Sequence, residues 1–435
     1  MAVPPPSIPR IWRPYTQMKG AREPLRVASA RRAVLRLADG REIIDAISSW
    51  WVITHGHRTP EIMEAIAEQT RSLDHVIFAE FTHAPAEALV ELLVPLLPEG
   101  LDKVFFSDNG STAVEVALKM ALQACKQRGE PRRRRFLAFS AGYHGDTAGA
   151  MSVSARGPFT APYGDLLFPV LRADQGRRTG DPLESWVAGF RTQVERHGEE
   201  LAAVILEPLI QGAGGMVMWP ETAVREIVTT CQARGILVIF DEVMTGFGRT
   251  GDLFAHTRLG LRPDLLCLSK GLTGGTLPLA VTVATDEVYQ AFYSDDRSRM
   301  LFHGHSFTAN PIACAAAAAN LRLIAQPGVQ RDWHRIGTIH HQRLQSLPHQ
   351  HLLRDRRACG VVAAIEFDTE GGYLDGLGPA LHHLALDSGV LLRPLGNILY
   401  VLPPYSITDE QLHRTWDVMD AAMNLVREMT GRERA

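Results

Sequence analysis

Two short apolar runs near the middle of this 435-residue chain end on side chains that can do chemistry. Ile236–Phe240 runs into Asp241-Glu242, and Leu265–Leu268 runs into Ser269-Lys270. Runs this short, bounded by turn residues, read as buried parallel strands. Open α/β sheets bind ligands beyond the carboxyl ends of their strands, so an acid and a lysine both stand where a site belongs. A buried lysine gives up its proton readily and can form a Schiff base. A carboxylate beside it can keep a pyridinium nitrogen protonated. Taken singly, each residue reads more simply as a solvated strand-end charge. Glycines crowd both segments, from Gly246-Phe247-Gly248 to Gly274-Gly275, and the pair together reads as a site.

The segment Asp241-Glu-Val-Met-Thr-Gly-Phe-Gly-Arg-Thr-Gly251, followed by Ser269-Lys-Gly-Leu-Thr-Gly-Gly275, resembles the class III aminotransferases. These are pyridoxal 5'-phosphate (PLP) enzymes of fold type I. The resemblance extends from about Trp12 to the final helix. It implies PLP carried on Lys270, Asp241 against its ring nitrogen and Tyr143 against its ring face. It implies an α/β fold, with a large domain of mostly parallel sheet flanked by helices and a smaller α+β domain from both chain ends. The composition shifts place these at 61–326 for the large domain and 11–60 with 327–435 for the small one. Residues 1–10, with four prolines and no apolar period, read as disordered, and the tail from Gly431 as frayed.

The elements that must position these groups follow from local patterns. Strand Lys103–Ser107 leads through Asp108-Asn109-Gly110-Ser111-Thr112 into a helix from Ala113 to Lys126. Free N–H groups at such a helix start can bind an anion, although Ser and Thr there also serve as plain caps. The residues leave these two readings level; the resemblance implies that Gly110 and Ser111 bind the cofactor phosphate. A strand at Phe136–Phe139 delivers Tyr143, and His144 reads as a turn histidine with a structural hydrogen bond. Strand Leu201–Leu206 ends at Glu207, which the resemblance puts near the cofactor. Val34–Asp45 reads as a hairpin about Asp39-Gly40.

Phe302-His303-Gly304-His305-Ser306-Phe307 follows the lysine region. The two histidines lack a third ligand at helical spacing, so no metal is expected. The resemblance gives Gly304 to substrate contact, and His305 and Ser306 to the phosphate across the interface of a homodimer. Trp50 and Trp51 cannot share one face of a strand; one is core and the other faces a cavity, and the resemblance favours Trp50 for the substrate. Arg393 lies between apolar strands, where an unpaired guanidinium is costly. It needs a carboxylate, from the protein or from a ligand.

Pro14-Tyr15-Thr16-Gln17-Met18, Ser48-Ser49-Trp50-Trp51, Tyr143-His144-Gly145-Asp146-Thr147 and Arg393-Pro394 with Tyr400 and Pro403-Pro404-Tyr405 narrow the resemblance. They look like the class III members that aminate 8-amino-7-oxononanoate, a long apolar keto acid of biotin synthesis. The resemblance implies substrate contacts from Tyr15, Trp50, Tyr143, Lys270, Gly304 and Arg393. It leaves open whether adenosylmethionine or lysine donates nitrogen, because His305-Ser306 replaces the Pro-Thr of the adenosylmethionine-using members. Other ω-aminotransferase, decarboxylase or aminomutase chemistry remains possible on one fold.

Composition sets the outer bounds. A net charge of −3 gives no global pull toward nucleic acid or an anionic membrane. Arg132–Arg135 has no interleaved aromatic groups and reads as a solvated loop. Cys125, Cys231, Cys267, Cys314 and Cys359 are scattered without a CxxC, which suggests neither disulfides nor zinc and fits a reducing cytoplasm. No signal peptide and no membrane-spanning run is evident.

Overall fold

The computed structural model describes residues 10–369, 372–374 and 376–431. The expected disorder at residues 1–9 and fraying at 432–435 lie outside the described residues.

The chain opens with three antiparallel strands, β1 (Val27–Arg31), β2 (Val34–Leu37) and β3 (Glu42–Asp45). The expected hairpin is β2–β3; β1 has only exposed or half-exposed side chains, so no apolar alternation announces it. The large sheet is built from β4 (Leu101–Ser107), β5 (Arg135–Phe139), β6 (Leu171–Ala173) and β7 (Leu201–Leu206). A small hairpin of β8 (Ile210–Gln211) and β9 (Val217–Met218) follows. β10 (Leu237–Asp241), β11 (Leu265–Leu268) and β12 (Ala280–Thr285) complete the sheet in the order β4-β12-β11-β10-β7-β5-β6. β12 pairs antiparallel with both neighbours, and the pairs from β11 to β6 are parallel.

β7, β10, β11 and β12 are buried at every position, because helices cover both faces of the sheet. Helix Gly110–Gln127 packs one face with Ala113, Val114, Ala117, Ala121 and Ala124. The helix starts at Gly110 rather than Ala113, since Asn109 caps it: Asn109 Oδ1 accepts from Thr112 N at 3.1 Å, and Asn109 N donates to Thr112 Oγ1 at 3.1 Å. Helix Pro311–Ile324 carries five consecutive alanines, Ala315–Ala319; its small side chains let it sit buried against helices Pro60–Gln69 and Ala84–Leu93.

The C-terminal part adds β13 (Leu353–Cys359), β14 (Val362–Phe367), β15 (Val390–Leu391) and β16 (Ile398–Val401). β15 pairs in parallel with β3, Leu391 opposite Asp45, so the two chain ends join in one four-stranded sheet. Helix Pro327–Ser346 is longer than its apolar core at Trp333–Leu344, and helix Asp409–Thr430 closes the chain with a Thr408 capping box.

No single described helix is long and apolar enough to cross a membrane. Arg133 donates to the carbonyls of Gly198, Leu201 and Arg234, and Arg135 pairs with Glu200. Half of the arginine run thus ties strand and helix ends together instead of standing in solvent.

Candidate active site

The carboxyl ends of the parallel strands converge on a cavity of about 430 Å³. Gly110, Ser111, Tyr143, Asp241 and Lys270 all line it. Asp241 is the last residue of β10, Lys270 follows β11 by two residues, and Glu207 follows β7 by one.

Lys270 opens a single 3-10 turn with φ +41°, a left-handed conformation that turns its side chain into the cavity. Its Nζ lies 4.8 Å from the ring centroid of Trp51. It makes no hydrogen bond or ion pair among the described residues. Burial holds the ammonium below its usual range, while Asp241 and Glu207 pull the other way and Arg249 adds to the lowering. An amine so placed is available as a nucleophile and as a proton carrier.

Asp241 is 4 % exposed. Its Oδ2 lies 2.7 Å from His144 Nδ1, and its Oδ1 accepts from Val243 N at 3.1 Å. His144 therefore makes the structural hydrogen bond expected of it, and makes it to the carboxylate of the site. Glu207 is equally buried. Its oxygens accept from Tyr143 N and Gly212 N, each at 2.9 Å. Burial nevertheless pushes its carboxyl up to about 7.

The residues fit PLP. Helix Gly110–Gln127 points its N-terminus at the cavity, with the Gly110 and Ser111 N–H groups lacking acceptors among the described residues. A Cβ on Gly110 would meet Val243 Cγ1 at 2.6 Å, so glycine is what lets this helix start pack against Val243 at the cavity wall. Ser111 Oγ accepts from Asp146 N at 2.9 Å, an approach that Gly145 permits at φ +122°, since a Cβ there would run into that oxygen. A fixed carboxylate, an unpaired amine and an open helix N-terminus in one cavity match the ring nitrogen, aldehyde and phosphate of the cofactor.

Tyr15, Trp50 and Arg393 stand apart, in an aromatic vestibule next to Tyr143. The Tyr15 ring lies 5.7 Å from both Trp50 and Phe159, and Phe159 lies 4.6 Å from Tyr373. Tyr15 OH donates to Asp146 Oδ2; burial first, and then this bond, raise the phenol to about 12. The Arg393 guanidinium sits 5.0 Å over the Trp50 ring and has no carboxylate or hydrogen-bond partner among the described residues. Of the two sources of a partner left open by the sequence, the described residues supply none.

The tryptophans divide otherwise than a strand would divide them. Ser48, Ser49 and Trp51 all have positive φ, at about 1–2 kcal/mol each for non-glycine residues. This turn leaves Trp50 41 % exposed in the vestibule and Trp51 5 % exposed as the cavity floor beneath Lys270. Trp51 Nε1 donates to Tyr400 OH at 2.9 Å. Trp51 is thus both core and cavity wall, a double role that residue type alone does not reveal.

Gly304, His305 and Ser306 do not line the cavity of their own chain. Gly304 and Ser306 are exposed, and His305 Nδ1 lies 3.4 Å from Asp108 Oδ2. His303 faces Lys119 instead, at 3.0 Å, and the two histidines share no ligand position. No cluster of three potential metal ligands occurs among the described residues.

The class III aminotransferase family model matches residues 16–423. The chain belongs to the class III aminotransferases. PLP is accordingly the cofactor of this class III enzyme. Adenosylmethionine-8-amino-7-oxononanoate aminotransferase of Synechococcus elongatus is 49 % identical to it over 432 residues, covering 98 % of this chain and 100 % of the relative. The enzyme of that name from Geobacter sulfurreducens is 37 % identical, covering 96 % of each chain. The crystal structure of the Methanocaldococcus jannaschii enzyme of that name superposes with a TM-score of 0.90 at 34 % identity, over 96 % of this chain and 97 % of that one. A PLP-bound amine transaminase from an uncultivated Pseudomonas species also gives 0.90, at 30 % identity, over 96 % of this chain and 99 % of that one. Equal scores for two differently named activities leave the choice of substrate to the side chains.

Proposed function

We propose that this aminotransferase moves an amino group from S-adenosyl-L-methionine to 8-amino-7-oxononanoate, giving 7,8-diaminononanoate for biotin synthesis. The observation that carries the reading is the Arg393 guanidinium, without a carboxylate partner among the described residues, at the wall of an aromatic vestibule. The keto acid has a long apolar chain with one terminal carboxylate. Tyr15, Trp50 and Phe159 shield the chain from water, and Arg393 takes the carboxylate in a bidentate pair.

When bound, PLP supplies an aldehyde that accepts and releases amino groups and a ring that withdraws electrons. Lys270 Nζ holds the cofactor between turnovers and then carries the proton at the reacting carbon. Its lowered proton affinity suits it to that exchange. Asp241, fixed by His144, keeps the proton on the ring nitrogen. Tyr143 holds the ring plane, and Gly110 and Ser111 donate to the phosphate.

His305, Ser306 and Gly304 complete the site of a second copy in a homodimer. Phe302 and Phe307 on this segment are 64 % and 60 % exposed; Phe307 lies 5.5 Å from the His75 ring, and Ile77 and Phe81 farther along that stretch are 61 % and 58 % exposed. Exposed apolar side chains of this kind suit a contact surface, and they support the dimer. Five free cysteines support a cytoplasmic location.

The test is incubation of the holoenzyme with 8-amino-7-oxononanoate and either adenosylmethionine or lysine, with detection of 7,8-diaminononanoate. Product with adenosylmethionine supports the reading. Product with lysine alone overturns the donor, and no product with either overturns the acceptor.

A further inference from the structure

Asp45 lies at the end of β3, 0 % exposed, where β3 pairs with β15 just before Arg393. Among the described residues its carboxylate makes four contacts. Oδ1 accepts from Ser49 N at 2.7 Å and Ile47 N at 3.4 Å. Oδ2 accepts from Ser49 Oγ at 3.0 Å and faces His57 Nε2 at 2.8 Å. Three of the four go to the residues that enter and form the Ser48–Trp51 turn. That turn holds three positive-φ residues without a glycine, so it persists only where its surroundings impose it. Ser48 Oγ adds a bond to Leu402 O at 2.8 Å, and Trp51 Nε1 adds the bond to Tyr400 OH.

The turn serves both halves of the site. Its Trp51 lies under Lys270, and its Trp50 lies under Arg393 and beside Tyr15. Asp45 touches neither cavity nor vestibule. We infer that Asp45 is a positioning residue, whose single carboxylate locks the Ser48–Trp51 turn and so sets Trp50 against Arg393 and Trp51 against Lys270. The consequence for acceptor binding rests on the substrate reading above; the consequence for tryptophan placement does not.

Asp45→Asn and Asp45→Ala separate shape from charge. Asparagine still accepts from Ser49 N through Oδ1 and can donate to Ser49 Oγ through its amide. Alanine does neither. In the PLP-loaded enzyme, Asp45→Ala raises KM for 8-amino-7-oxononanoate about tenfold, with a smaller change in kcat, while Asp45→Asn keeps the parent KM. Near-ultraviolet circular dichroism, read without substrate, loses tryptophan signal in Asp45→Ala and keeps it in Asp45→Asn. Ser49→Ala removes only the hydroxyl contact and carries the same test if Asp45→Ala does not fold, with KM up about threefold and a reduced tryptophan signal. An unchanged KM and spectrum in the folded Asp45→Ala variant overturns the inference. In the absence of that variant, the same result for Ser49→Ala does so. Equal impairment of the Asn and Ala variants also overturns it, because charge rather than position would then be at work. A parent enzyme that does not turn over this keto acid refutes the substrate reading instead, and leaves the spectroscopic comparison standing.

Discussion

His144 Nδ1 lies 2.7 Å from Asp241 Oδ2, and both side chains are buried. The second Asp241 oxygen accepts from Val243 N. The carboxylate is therefore fixed in direction, as a partner for a pyridine nitrogen must be. Asparagine in its place keeps the size and removes the charge. Asp241→Asn is expected to lower kcat by about 10²–10⁴-fold, the span associated with loss of positioned proton chemistry. Steady-state kinetics at saturating PLP checks this; a loss of only a few-fold would remove Asp241 from the site.

Lys270 makes no polar contact among the described residues that its removal would orphan. Lys270→Ala should therefore keep its thermal midpoint, yet lose about 10³-fold or more in turnover. Differential scanning fluorimetry and product assay together test the pair of claims. A collapse in stability would show that the lysine is a structural group.

Arg393→Ala removes a guanidinium held, among the described residues, by the Trp50 ring, a contact of about 0.5–1 kcal/mol. Stability should change little. Loss of a charge-assisted pair with the keto acid carboxylate is worth about 1.5–3 kcal/mol, so its KM should rise by roughly 10- to 150-fold. The KM for the amino donor should move much less, and initial-rate measurements with each substrate varied distinguish the two.

Glu207 links pH to stability. Burial raises its carboxyl from 4.5 to about 7 in the folded chain. The folded state thus holds a proton that the unfolded state has lost. The Glu207 contribution is complete below about pH 4.5 and is lost as pH rises through about 7. Denaturant unfolding of the apo protein across that window should show this decline in the parent and not in Glu207→Gln. An identical slope in both would assign the effect elsewhere.

The exposed Phe302 and Phe307 rings predict that Phe307→Asp weakens self-association. Sedimentation velocity should show a dimer for the parent and a monomer for the variant at micromolar concentration. A parent that sediments as a monomer would remove the shared site.

Much of this site was legible before folding because it lies at strand ends. Asp241 and Lys270 close short apolar runs, so their strand-end placement follows from local pattern; Gly110-Ser111 reads equally as a plain helix cap, and only the family resemblance assigns it to the site. Asp45 gave no such signal: a buried acid at a strand end looks like any exposed one until Ser49 and His57 are seen around it. Arg249 reads as one residue of a glycine-rich segment, yet it is 1 % exposed and donates to Pro403 O and Ile53 O, tying together segments far apart in sequence. Phe159 and Tyr373 meet at 4.6 Å from opposite halves of the chain, and neither lies in a patterned element. The roles of Trp50 and Trp51 depended on positive φ at three non-glycine residues, which no propensity anticipates.

The most direct measurement is borohydride reduction of the PLP-loaded protein, followed by proteolysis and mass mapping of the fixed pyridoxyl group. The structure predicts a single stoichiometric label on the peptide that contains Lys270. A label confined to another lysine, or none in protein that binds PLP, would contradict the assignment of the cavity and everything built upon it.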